Sequence, residues 1–213
     1  MINVNTIYKT LSILLMYPDI KFRPFLKDFL IIFYNEKILS KESHESIIFF
    51  INFLLKEDIF LLQQMYIDTF DKKNIHSLYL FEHIHGDSKD RGQAMVDLQN
   101  MYISSGYKIS SYELPDYFPV FLEYLSLISE KDAKILLLEV INIILIIAIR
   151  LRDSNNIYSK LFFILEELSN VKPDENIINL ALSYKKNMNF EENFEGDLME
   201  DTFQYNKKIS NNY

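Results

Sequence analysis

A chain of 213 residues, 49% hydrophobic and 24% charged, can bury one substantial core and is too apolar to be disordered. Its formal net charge of −8, with Lys and Arg scattered, argues against nucleic-acid binding; it suits either a basic partner or simple solubility. The absence of Cys removes disulfides, thiolate metal sites and cysteine nucleophiles, and fits a reducing compartment.

Only 4 Gly and 5 Pro punctuate the chain, which favours helices joined by short polar loops over a sheet. The N-terminal MINVNTIYKTLSILLMYP shows no targeting pattern. Ile7, Leu11, Leu14 and Leu15 share a helical face, and Tyr17-Pro18 stops that helix. Pro24 is placed to open a second helix carrying Phe25, Phe29, Ile32 and Phe33. Ser40 or Ser43 caps a third, to about Leu55. A fourth runs from about Asp58 to Phe70. After a short apolar turn, Leu78 to His83, Asp87 or Ser88 caps a helix ending near Gly106.

Beyond the polar loop Tyr107 to Leu114, Pro115 starts a helix to about Ile128. Ser129 caps a long central helix with Glu130 and Asp132 in its first turn. Its run Ile135 to Ile149 contains Glu139 and Asn142 and falls short of the roughly 20 apolar residues a membrane span needs, so stable membrane insertion is not expected. Asp153 or Ser154 opens a further helix to Leu168, and Pro173-Asp174 a last one to about Lys186. The expectation is an all-α, single-domain bundle of about eight or nine helices over residues 1–187. Residues 188–213, rich in Glu and Asp from Glu191 to Asp201, read as an acidic, mobile tail.

Chemistry concentrates in Ser77 to Leu98 and in Glu113 to Leu125. His83-x-His85-x-Asp87 resembles the start of the H-x-H-x-D-H signature of metallo-β-lactamase-like hydrolases, and two imidazoles with a carboxylate can hold a cation. Ser88 stands where that signature needs another His, and the signature belongs to a strand-rich sandwich. The competing reading has His83 and His85 bonding backbone carbonyls or Asp87, with Gly86 at a positive φ. No nucleophile elbow or Gly-rich phosphate loop is present, so no catalytic residue, cofactor or metal is expected and the chain does not read as an enzyme.

The charges have two readings. Asp87 and Arg91 are spaced i, i+4, as on a solvated helix start. Alternatively Asp68, Asp71, Glu82, Asp87, Glu113, Asp116 and Glu123 rim a groove lined by Tyr66, Phe70, Tyr79, Phe81, Tyr117 and Phe118. Such a groove suits a helical peptide with basic residues at one end.

Several segments resemble the NarJ branch of the TorD/DmsD/NarJ family of molybdoenzyme assembly chaperones. They are Leu14-Leu15-Met16-Tyr17-Pro18, Tyr66-Ile67-Asp68-Thr69-Phe70-Asp71, the long block Leu80 to Leu98, Glu113-Leu114-Pro115-Asp116-Tyr117, and Leu122-Glu123-Tyr124-Leu125. The order and spacing match over roughly residues 1–170.

The resemblance implies a TorD-like, non-enzymatic, cytoplasmic chaperone that binds the N-terminal segment of the immature nitrate reductase catalytic (alpha) subunit. It implies help with molybdenum cofactor and iron–sulfur cluster insertion before membrane attachment, followed by release. It leaves room for transient contact with molybdenum cofactor delivery proteins, and for a signal peptide of another molybdoenzyme as the client. On this reading Tyr66, Asp68, Phe70, Asp71, His83, His85, Asp87, Arg91 and Asp116 border the peptide site, with Asp68 and Asp71 pairing with basic residues.

Overall fold

The computed structural model describes residues 3–35, 37–72, 74–84, 89–110, 112–171, 176, 178 and 179. Among these, nine α-helices and no strand form an all-α bundle. The helices are α1 (Val4–Leu14), α2 (Leu26–Tyr34), α3 (Lys41–Lys56), α4 (Ile59–Tyr66), α5 (Leu80–Ile84), α6 (Asp90–Ser104), α7 (Phe118–Leu125), α8 (Glu130–Asp153) and α9 (Ser159–Ser169). The expected acidic tail, and most of the expected last helix, lie outside the described residues.

Side-chain caps set several starts. Asn3, Ser40, Asp58 and Ser129 each accept a backbone N–H from the first turn of α1, α3, α4 and α8. Two C-termini are set by backbone geometry. At the end of α6, Gly106 takes φ 78°, its N–H reaches Ile103 O, and the Tyr107 N–H reaches Tyr102 O at 2.9 Å. The end of α8 repeats this Schellman pattern with Asn155 at φ 54°, and the Asn156 N–H reaches Leu151 O at 2.8 Å.

That second turn corrects one expectation. Asp153 is the last residue of α8, and the chain turns into α9, which begins at Ser159 without a side-chain cap, through a local turn in which Asn156 Oδ1 accepts the Tyr158 N–H. Two prolines are also reassigned. Pro24 sits in a 3₁₀ segment, Ile20–Phe25, and α2 begins after it. Pro115 precedes a bridge and Pro119 occupies the first turn of α7, where a missing N–H costs nothing.

The core centres on α8. From Ile141 to Ala148 every residue is buried, so the helix is covered on all sides by its neighbours. It packs against α9 and α7, α1 lies on α7, and α2 and α9 pack against α3. Phe118 stacks on Phe162 at 5.6 Å between ring centroids, joining α7 to α9. No helix among the described residues is long and apolar enough to cross a membrane.

Candidate functional site

The helix that begins as α4 does not continue regularly. From Ile67 to Asp71 it widens into a π turn, closed by the Lys72 N–H on Ile67 O at 3.0 Å. Such turns re-aim side chains and recur at functional sites. Here Tyr66 and Phe70 turn inward and are 4% and 5% exposed, while Asp71 stays at the surface.

A second element meets them from far along the chain. Leu78 O accepts the Phe118 N–H at 2.7 Å, and Asp116 O accepts the Leu80 N–H at 3.0 Å. This pairs Tyr79 with Tyr117 in an antiparallel bridge, and their rings lie 5.4 Å apart.

The result is a pocket of about 290 Å³ lined by Tyr17, Tyr66, Phe70, Asp71, Leu78, Tyr79, Glu113 and Tyr117. The Tyr66 hydroxyl donates to Leu15 O at 3.1 Å and accepts from the Tyr117 hydroxyl at 3.0 Å. Tyr17 sets its ring edge-on to Tyr66 at 5.5 Å. Phe70 packs 4.9 Å from both Tyr66 and Tyr158. Among the described residues the lining holds two carboxylates and no cation.

The field in the pocket is negative. Burial first, then Glu113, Asp116, Glu82 and Asp71, push the Tyr79 hydroxyl above its ordinary range. Burial pushes Tyr117 up to about 12, with Glu113 and Asp71 adding to the effect. The phenols therefore stay protonated and act as hydrogen-bond donors at neutral pH. Chemically the arrangement is an aromatic cup with an acidic edge, suited to an apolar side chain beside a basic one.

Of the nine residues expected to border one site, the seven that are described are not gathered at one place. Tyr66, Phe70 and Asp71 meet in the cup. Asp68 lines a different recess, of about 220 Å³, with Met65, Thr69, His76, Ser154 and Asn156, and it bonds Lys72 at 2.6 Å and Gln64 at 2.9 Å. The cause is the π turn: three residues fall well short of one widened turn, so Asp68 and Asp71 diverge.

His83 is 2% exposed, and its Nε2–H donates to Ser77 O at 2.8 Å, the backbone-fixing role. Arg91 pairs with Glu82 at 3.5 Å. Asp116 is fully buried, and its Oδ2 accepts the Phe81 N–H in the first turn of α5. His85 and Asp87 lie outside the described residues.

Of the wider candidate rim and groove, Glu123 is taken by Lys9 and by the Tyr107 hydroxyl, and Phe81 and Phe118 belong to the core. Sequence reasoning missed Tyr17 and Leu78 as lining residues. Tyr17 had read as a helix stop and as part of a segment carrying the family resemblance, and no pattern in the sequence marked it as lining a pocket; in the structure it is 44% exposed. No group of three or more His, Asp or Glu among the described residues could hold a metal ion.

Comparison with known proteins fits this geometry. The family model described as "Nitrate reductase delta subunit" matches residues 39–139, which include α3 to α7 and much of the cup. The chain is 36% identical over 163 residues to the nitrate reductase molybdenum cofactor assembly chaperone NarJ of Escherichia coli strain K12, covering 76% of this chain and 69% of that protein. It is 40% identical over 116 residues to the probable chaperone NarW of the same strain, covering 54% of this chain and 50% of that one. The probable NarJ of Bacillus subtilis strain 168 is 27% identical over 158 residues, 74% of this chain and 85% of its own. The chain belongs to the NarJ family, the nitrate reductase molybdenum cofactor assembly chaperones.

Proposed function

We propose that the protein is a cytoplasmic chaperone that clasps the N-terminal segment of the immature nitrate reductase catalytic subunit in the cup around Tyr66 and Tyr117. It keeps that subunit open for molybdenum cofactor and iron–sulfur cluster insertion, then releases it before membrane attachment. The observation that carries this reading is the cup itself: among the described residues, five aromatic rings, two carboxylates and no cation, set on a family of nitrate reductase assembly chaperones. The names of the relatives favour nitrate reductase over another molybdoenzyme as the client.

Asp71 and Glu113 are the groups that draw a basic residue toward the cup, and the rings take its apolar neighbour. Coupled folding of a short peptide costs several kcal/mol, which keeps the complex reversible, as a transient holder requires. The test is calorimetric titration of the protein with a synthetic peptide of about 15 residues, some four helical turns, from the start of the cognate catalytic subunit. Saturable binding that weakens with added salt supports the reading. No binding at any salt concentration sinks it.

A further inference from the structure

A second recess adjoins the cup. It measures about 440 Å³ and lies between the end of α6 and the described residues 107–110 and 112–115, with Tyr102, Ile103, Ile109 and Pro115 as its apolar lining and Lys108 and Glu113 as its charged groups. Glu113 belongs to both recesses, so the cup and this hollow meet at one carboxylate. The dividing segment is anchored at its C-terminal end. The Tyr102 hydroxyl donates to Pro115 O at 3.0 Å on one side, and Phe118 and Leu78 pair on the other.

Three large apolar side chains stand exposed beside the two recesses, two on the otherwise polar loop and one on α6. Tyr112 is 94% exposed, Leu114 47%, and Ile103 at the lip of the second recess 59%. Apolar side chains gathered beside two hollows mark a contact surface better than they mark a free one.

We propose that the second recess takes another apolar side chain of the same client segment. The segment is then read at two apolar hollows with its basic residue between them, over Glu113. The chemistry selects the occupant. A helical peptide with apolar residues about two turns apart, at i and i+7, and a Lys or Arg at i+3 or i+4 presents all three groups on one face. An acidic segment is repelled where Glu113 and Asp71 edge the cup. This inference rests on the proposed client-binding role and adds the pattern the client must carry.

The experiment titrates the full chain with the same synthetic N-terminal peptide, comparing wild type with Ile103→Glu and the milder Ile103→Ser. Because Ile103 is mostly exposed, neither change touches the core, and thermal unfolding of each variant checks this. The expected result is a Kd raised about tenfold or more by Ile103→Glu and several-fold by Ile103→Ser. If wild type binds and both folded variants bind within about twofold of it, the second recess is unused and the inference falls, while the cup remains a binding site. If wild type itself binds nothing, the client-binding role fails and takes the inference with it.

Discussion

Asp116 caps a helix to which it does not belong: its Oδ2 accepts the Phe81 N–H at 3.1 Å, across 35 residues of chain. The short helix α5 has no side-chain cap of its own that the described residues show, so the remote carboxylate supplies one. Its other oxygen, Oδ1, is buried with no hydrogen-bond partner among the described residues, while Arg91 and Glu82 act on the group from α6 and α5.

Replacing Asp116 by Ala removes the carboxylate that accepts the Phe81 N–H and leaves a small void in a buried site. Urea denaturation at neutral pH should show a loss on the order of 1–3 kcal/mol for Asp116→Ala. Asp116→Asn, which keeps an acceptor and removes the buried charge, should lose less than half as much.

The same carboxylate makes stability depend on pH in a direction opposite to the usual carboxylate. Burial pushes Asp116 from 3.8 up to about 6, against the pull of the Phe81 N–H and of Arg91. Between those values the folded state holds a proton that the unfolded chain has released. Its contribution thus declines as pH rises from about 4 to 6 and is level above that, a fall of about 2–3 kcal/mol for this one group. Melting curves of wild type and Asp116→Asn across that window should differ in slope, and parallel curves would contradict the assignment.

Tyr66 ties three segments together through one hydroxyl. Tyr66→Phe removes its bonds to Leu15 O and to the Tyr117 hydroxyl, and should cost about 1–2 kcal/mol in chemical denaturation. A double-mutant cycle with Tyr117→Phe should show coupling between the two phenols, because each single change already breaks their mutual bond.

Asp71 and Asp68 separate the cup from its neighbourhood. Asp71→Asn should weaken binding of the N-terminal peptide about three- to tenfold at low salt and reduce its salt dependence. Asp68→Asn, in another recess and already paired with Lys72, should leave both within about twofold. Equal losses from the two changes would mean that the peptide covers both recesses.

At the end of α8, Asn155 holds a left-handed conformation that a β-branched residue resists. Asn155→Val should lower stability by about 1–2 kcal/mol, and Asn155→Gly should be neutral or slightly stabilising, as read by thermal unfolding.

Much of the helical frame could be read from residue order, because the signals are local. Ser40, Asp58 and Ser129 announce the starts of α3, α4 and α8, and Gly106 announces the end of α6. The errors arose where two local signals compete or a distant partner decides. Pro115 and Pro119 are both plausible helix openers, and only the pairing of Leu78 to Leu80 with Asp116 to Phe118 selects the second.

The site was harder still. A 3.6-residue period cannot reveal that the turn after Tyr66 widens, so Asp68 and Asp71 looked like equals. Nor can it reveal that Asp116 and Glu123 are consumed by contacts with Phe81, Lys9 and Tyr107. Aromatic-acidic composition pointed to the right kind of surface, and tertiary contacts chose which members face it.

The cup draws its walls from Tyr17, Tyr66 and Tyr117, positions spread over half the polypeptide. No fragment of the receptor exists until the ribosome has delivered the last of them and the ends have found one another, a step slowed by loop closure. On the proposed role, a half-made chaperone would have nothing with which to seize a half-made enzyme, and competence would come only with the finished tertiary structure.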